Sequence, residues 1–232
     1  MVCRLDSELW FPDPHFGEDD GCIAVGGDLS VDRLLLAYSN GIFPWYAFRY
    51  DEPVWYCPMQ RFVIFPDEIH VSHSMRTLMN KGKYRLSINE AFDKVIDTCS
   101  ELRIEEDYAW LGPQMKKAYK ELHRQGFAAS VEVWEGSLPQ PLQWEGGQTQ
   151  PESQPQKEKF VGGLYGVSIG NAFFGESMCS LVPSASKLAL IHLAKTMQQK
   201  GGKLIDCQFE TPHLKSMGGR QISYDEYMKI IS

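Results

Sequence analysis

The spacing of apolar residues changes along this chain, and each change marks an element. Leu34, Leu35 and Tyr38 share one face of a helix over Val31–Ser39, with Ser30 as N-cap and Asn40-Gly41 as its stop. Arg61–Phe65 reads as a strand and Ser72–Asn80 as a short helix. Tyr84–Ile88 alternates as a strand. Asn89 then caps a helix over Glu90–Leu102, whose Phe92, Val95, Ile96 and Cys99 recur at helical spacing. Pro113 suits the first turn of a further helix ending at Gly126. Ala128–Trp134 alternates, Phe160–Ile169 is apolar with glycines, and Gly170-Asn171 makes a hairpin turn into Ala172–Gly175. A strong helix runs from Ser184 or Ser186 to Lys200, and Lys203–Cys207 is a buried strand. Ser223-Tyr224-Asp225-Glu226 is a capping box that opens a terminal helix.

Two stretches depart from this regularity. The first sixty residues carry Trp10-Phe11-Pro12, Gly26-Gly27-Asp28, Phe43-Pro44-Trp45 and Trp55-Tyr56-Cys57-Pro58, and apart from the Val31–Ser39 helix they read as a small loop-rich domain, 1–60. Ser137–Lys159 is dense in Gln, Pro, Gly and Glu, a composition that cannot build a core. It is expected to be a mobile insertion in a strand–strand loop. The remainder, 61–232, reads as helices, a hairpin, then helix, strand and helix. The expected fold class is therefore α+β, a sheet flanked by helices beside the small N-terminal domain.

Composition adds limits rather than a function. A chain of 232 residues with 43% hydrophobic and 23% charged residues can bury a core without covalent staples. Cys3, Cys22, Cys57, Cys99, Cys179 and Cys207 form no Cys-x-x-Cys pair, so reduced thiols are expected in place of a zinc site or disulfide scaffold. Met1–Pro12 contains Asp6 and Glu8 and no apolar segment of the signal-peptide kind, and no apolar run approaches the ~20 residues of a membrane span. A cytoplasmic protein with no membrane contact is expected. The net charge of −7 argues against a nucleic-acid partner for the molecule taken whole. Its distribution changes that picture. Between Ile69 and Asn89 stand Arg76, Lys81, Lys83 and Arg85 and no acid, and Lys116, Lys120 and Arg124 share one face of the helix after Pro113. These cations are either an ordinary solvated surface or a site for phosphates.

Chemistry is suggested at two strand ends. Asp206 directly follows apolar Leu204-Ile205, and Gln208 two residues on would share its face of a strand. A buried carboxylate needs a partner, and a carboxylate beside an amide can orient an amine. Glu176, in Gly175-Glu176-Ser177-Met178, also follows an apolar strand directly. Leu164, Phe173, Met178, Leu190, Met197 and Ile205 are ordinary core residues for an α/β domain or the wall of an apolar pocket. His70-x-x-His73 lacks a third ligand at a useful spacing, so no metal is expected. There is no Walker-type phosphate loop and no Gly-x-Ser-x-Gly elbow.

Several segments together resemble the leucyl/phenylalanyl-tRNA–protein transferase family. They are Ala24-Val25-Gly26-Gly27-Asp28-Leu29-Ser30, Gly41-Ile42-Phe43-Pro44-Trp45, Val161-Gly162-Gly163-Leu164-Tyr165-Gly166-Val167, Phe174-Gly175-Glu176-Ser177-Met178 and Gly202-Lys203-Leu204-Ile205-Asp206-Cys207-Gln208. The resemblance implies a GNAT-like acyltransferase domain and transfer of Leu or Phe, with Met as a possible third, from aminoacyl-tRNA to an N-terminal Arg or Lys of an acceptor protein, marking it for degradation. It implies Asp206, Gln208 and Glu176 at the reaction centre. Leu164, Phe173, Met178, Leu190, Met197 and Ile205 would form the Leu/Phe pocket, and Trp45 and Trp110 would flank the 3′ adenosine. Arg76, Lys81, Lys83 and Arg85 would then meet tRNA phosphates. No cofactor is implied, and a monomer is expected. The sequence departs from the family in the length of Ser137–Lys159, in Leu181-Val182-Pro183-Ser184, and in its acidity. Two other readings compete. An acetyl-coenzyme A enzyme would carry a [Gln/Arg]-x-x-Gly-x-[Gly/Ala] loop, which the chain lacks. A non-catalytic binder of N-terminal degradation signals would need neither the basic cluster nor an adenosine-stacking Trp.

Overall fold

The computed structural model describes residues 2–46, 52–102, 111–136 and 158–232. Trp110 and nearly all of the Ser137–Lys159 segment, with its expected mobility, lie outside the described residues.

Between its loops the N-terminal stretch carries a small sheet that the sequence reading did not show. Strands β1 (Cys3–Leu5), β2 (Cys22–Gly26), β3 (Phe43–Tyr46) and β4 (Pro53–Tyr56) form a sheet in the order β1-β2-β4-β3. β1 runs parallel to β2, and the other pairs are antiparallel. The Pro and Gly content that suggested loops is tolerated because the strands are short and the prolines sit where no ladder N–H is needed. Pro44 lies on the edge strand and Pro53 opens its strand. Helix α1 (Val31–Ser39) lies between β2 and β3, capped by the Ser30 hydroxyl, which accepts from the Arg33 N–H.

The larger sheet has seven strands. β5 (Gln60–Ile64), β6 (Tyr84–Ile88), β7 (Ala128–Glu135), β8 (Lys159–Ile169), β9 (Ala172–Ser180), β10 (Leu204–Asp206) and β11 (Arg220–Ser223) stand in the order β11-β5-β10-β9-β8-β7-β6. It is a mixed sheet whose one parallel pair is β9 with β10. The helices are α2 (His73–Asn80), α3 (Phe92–Glu101), α4 (Pro113–Arg124), α5 (Ala185–Gln199), α6 (Pro212–Ser216) and α7 (Tyr224–Ile231).

Strand alternation divides the core in two. Val63, Tyr165, Val167, Phe174 and Leu204 face one side, against α1, α3, α4 and the small sheet. Phe62, Ile64, Leu164, Phe173 and Ile205 face the other, against α2 and α5. One expectation fails at a helix start. Asn89 has a left-handed backbone (φ 60°), and its side-chain oxygen accepts from the Ser130 N–H rather than capping α3. The carboxylate of Glu132, fully buried on β7, instead accepts from the Glu90 and Ala91 N–H groups and from the Ser87 and Ser130 hydroxyls. A long-range cap of this kind leaves no local signal.

Candidate active site

β10 ends at Asp206, and that ending decides where the candidate residues go. Leu204 and Asp206 point to the α1/α3/α4 face and Ile205 to the α5 face. Gln208 lies beyond the strand with φ 58°, a left-handed turn, and so does not share a strand face with Asp206 as the sequence suggested. Its backbone N–H donates to Asp206 Oδ1 at 2.8 Å, while its side-chain Nε2 reaches Glu176 Oε1 at 3.5 Å.

Asp206 is fully buried and fully occupied. Arg61, equally buried on β5, donates through Nε to Oδ1 at 2.9 Å and through Nη2 to Oδ2 at 2.7 Å. The Tyr227 hydroxyl on α7 donates to Oδ2 at 2.7 Å. The guanidinium lies 4.8 Å from the Phe43 ring and 5.0 Å from the Tyr227 ring. Burial works against the Arg61 charge, but the Asp206 carboxylate outweighs it and holds the guanidinium protonated. The Asp206 carboxylate is thus the centre of a joint between β10, β5, α7 and β3.

Glu176 has a different setting. Across β8 and β9, Tyr165 pairs with Ser177 and Gly166 with Gly175, so Glu176 is an extra residue in a β-bulge. The bulge turns its side chain out of the alternation. The Tyr38 hydroxyl of α1 lies 2.7 Å from Oε1 and the Tyr119 hydroxyl of α4 lies 2.7 Å from Oε2, both at hydrogen-bond distance. Burial pushes its pKa up to about 7, against the lowering effect of the two hydroxyls.

Glu176 and Gln208 border a cavity of about 670 Å³. Its apolar wall includes Leu164, Phe173, Met178, Leu190, Leu193 and Ile205. Phe43, Trp45 and Phe209 stand at another side. The Trp45 ring packs 5.9 Å from Tyr56 and 5.7 Å from Phe209. Gly166 makes room for Phe173, since a Cβ there would come within 2.5 Å of that ring. Met197 is placed elsewhere. It lies on α5 two turns beyond Leu190 and lines a second cavity of about 200 Å³ with Thr196, Lys200 and Gly202. Asp206 does not line the larger cavity, and among the described residues no cluster could hold a metal ion.

Most of the cations are answered by acids, some close in sequence and some from distant elements. Arg85 is held by Glu158 and Glu90, each at 2.9 Å or less, and Lys83 pairs with Glu135 at 2.7 Å. Lys116 and Lys120 pair with Asp97, and Arg124 with Glu121. Arg76 and Lys81 are exposed and have no acidic partner among the described residues.

A profile described as the leucyl/phenylalanyl-tRNA protein transferase matches residues 63–138 and 150–232, and one for the N-terminal domain of the same proteins matches residues 27–59. The chain is 43% identical to the leucyl/phenylalanyl-tRNA–protein transferase of Syntrophobacter fumaroxidans, covering 100% of this chain and 90% of that one. The chain belongs to the leucyl/phenylalanyl-tRNA–protein transferase family. The transferase of Flavobacterium johnsoniae is 41% identical over 98% of this chain and 97% of its own length. Among solved structures, L-PGS from Bacillus licheniformis overlaps 82% of this chain and 54% of its own at 11% identity and a TM-score of 0.39, too slight a likeness to bear on the fold.

Within this member of the transferase family, sequence reading missed Arg61, Tyr38, Tyr119 and Tyr227, the residues that hold the two carboxylates. A weak signal existed for two of them. Arg61 heads an otherwise apolar strand, and Tyr38 lies on the apolar face of α1, where a buried hydroxyl must find a partner.

Proposed function

We propose that this chain transfers Leu or Phe from aminoacyl-tRNA to the N-terminus of an acceptor protein, with N-terminal Arg or Lys as the acceptor class and degradation as the consequence. The observation that carries the reading is the apolar cavity closed at one side by Glu176 and Gln208. Leu164, Phe173, Met178, Leu190 and Ile205 would hold the transferred side chain by shape, which discriminates by only ~1–3 kcal/mol per methylene and so admits Met as a slower substrate. Trp45 would stack on the terminal adenosine, an interaction worth about 1–3 kcal/mol and indifferent to tRNA sequence. Trp110 is the second stacking candidate.

The chemistry asks little of the protein. Aminoacyl-tRNA is an activated ester, and an α-amino group with a pKa of about 7.7–8.0 is roughly 10–20% neutral at pH 7. Alignment of that amine with the carbonyl is the main requirement. Glu176 and the Gln208 amide would supply it, while Asp206 would act by fixing the Gln208 backbone. We further propose a division near residue 60 into a small N-terminal domain and a GNAT-like catalytic domain. The mixed sheet, with its parallel pair beside the cavity, supports that reading. The chain would act as a monomer in the cytoplasm. No helix of the described residues is long and apolar enough to cross a membrane.

The test is incubation with Leu-tRNA or Phe-tRNA carrying a labelled amino acid and peptides beginning with Arg, Lys or Gly. Label on the Arg and Lys peptides is expected. Binding of either partner without labelled peptide would favour a non-catalytic binder.

A further inference from the structure

The surroundings of Glu176 hold one hydrogen bond too many for an ionised carboxylate. Tyr38 Oη lies 2.7 Å from Glu176 Oε1, Tyr119 Oη lies 2.7 Å from Oε2, and the two hydroxyl oxygens lie 2.8 Å from each other. Each of these three oxygen–oxygen pairs is at hydrogen-bond distance and needs a proton between its atoms. Two phenols bring two protons. The third must come from the carboxyl group. With it, the three groups close a ring in which each donates once and accepts once. Without it, two lone pairs face each other across one of the pairs in a buried site.

The neighbours do not offer another way out. Burial, then the Glu176 charge, holds both tyrosines well above the ordinary phenol range, so neither becomes a phenolate that would remove a further proton. Tyr165 stands beside Tyr119 with ring centres 5.5 Å apart. From β10 and β5, Asp206 and Arg61 act on Glu176 in opposite senses, and their bidentate pairing largely cancels them. Gln208 reaches only 3.5 Å from Oε1. Burial lifts the Glu176 pKa to about 7, which agrees with the proton count.

We propose that Glu176, Tyr38 and Tyr119 form a proton-holding ring in the resting enzyme, and that Glu176 is the proton carrier for aminolysis of the aminoacyl ester, with the tyrosines as positioning residues. This rests on the transferase reading given above. In the step, the acceptor nitrogen forms its bond to the carbonyl carbon as the carbon–oxygen bond to the ribose breaks. The Glu176 O–H gives its proton to the departing ribose oxygen, and the carboxylate so formed takes one from the attacking nitrogen. The products are an amide and a free ribose hydroxyl, and Glu176 ends protonated as it began.

Infrared difference spectra of the full chain between pH 6 and pH 8.5, with Glu176→Gln as the control, read the ring without any substrate. A protonated-carboxyl band that titrates near neutral pH and is absent from Glu176→Gln is expected. Tyr38→Phe and Tyr119→Phe should each shift that band, because either substitution opens the ring. Single-turnover transfer from Leu-tRNA to an Arg-starting peptide reads the carrier. Glu176→Gln should slow it by about 10²–10⁴-fold. Wild-type rate should pass through a maximum between pH 7 and 8, where neutral amine and protonated carboxyl coexist, while the residual rate of Glu176→Gln should go on rising. Absence of the band overturns the ring. The band together with an undiminished Glu176→Gln rate overturns the carrier. A wild-type protein that shows the band but labels no peptide from either tRNA removes the transferase reading and the proton's destination with it, and leaves the ring standing.

Discussion

Asp206 and Glu176 stand on neighbouring strands, and their surroundings differ in kind. Asp206 meets a full positive charge in Arg61, a hydroxyl and a backbone N–H, and is sealed from the cavity. Glu176 meets two neutral hydroxyls and borders the cavity. Burial raises the free energy of either carboxylate when ionised, but only the first has a cation to offset it. Of these two carboxylates, the one answered by a buried base is sealed into a joint, and the one held by neutral hydroxyls is left at the edge of the cavity.

The most forceful way to break this comparison is to remove Asp206. Asp206→Ala leaves the Arg61 charge buried and alone, at a cost of about 3–5 kcal/mol. For a chain of this length that is a fall of roughly 6–20 °C in melting temperature. Asp206→Asn should lose nearly as much, since it still lacks the anion. A variant that melts within a degree or two of wild type yet transfers nothing would place Asp206 in the chemistry instead.

Glu176 should show the opposite linkage. Its folded pKa of about 7 lies above the ordinary value of 4.5. Its contribution to stability is therefore fully present below pH 4.5 and is lost as pH rises through 7. The change amounts to up to about 3 kcal/mol between those limits. Glu176→Gln does not titrate, so its stability relative to wild type should improve from pH 5 to pH 8 in denaturant melts. Parallel curves would mean that the group does not titrate in that window.

The two ends of α5 extend the comparison to apolar groups. Leu190→Phe, which intrudes on the larger cavity, should shift the ratio of kcat/KM for Leu-tRNA and Phe-tRNA by about 10–200-fold. Met197→Ala should leave that ratio unchanged, because its side chain lines the other cavity. Equal effects from both would dissolve the distinction between the cavities.

The smallest effect concerns the cations, where answered and unanswered charges can again be compared. Arg76→Glu with Lys81→Glu should weaken tRNA binding and reduce the salt slope by roughly 0.7–0.9 for each phosphate no longer neutralised. Lys83→Glu should do less, because Glu135 already neutralises it. A reversed order, measured by filter binding at several salt concentrations, would show that the paired face meets the tRNA.

What the sequence revealed and hid follows from range. Periodicity located α1, α4, α5, β6 and β7 because their buried faces repeat within a few residues. It hid the small sheet, whose strands of three to five residues are too short to show an alternation. Asp206 and Glu176 stood out as acids after apolar runs. Their partners Arg61, Tyr38 and Tyr119 lie 145, 138 and 57 positions away from them and announce themselves only in space. In the basic window from Ile69 to Asn89, Lys83 and Arg85 meet acids that lie outside it, Glu135 on β7 and Glu90 and Glu158.

The bulge in β9 has a further consequence. Glu176 reaches the tyrosines because β9 holds one residue more than β8 can match. The candidate centre thus depends on counting as well as on chemical identity. Deleting Gly175 would leave every functional group still encoded, yet would return Glu176 to the regular alternation and take it out of reach of α1 and α4. Along this strand, a change in length displaces Glu176 as surely as a substitution removes its proton.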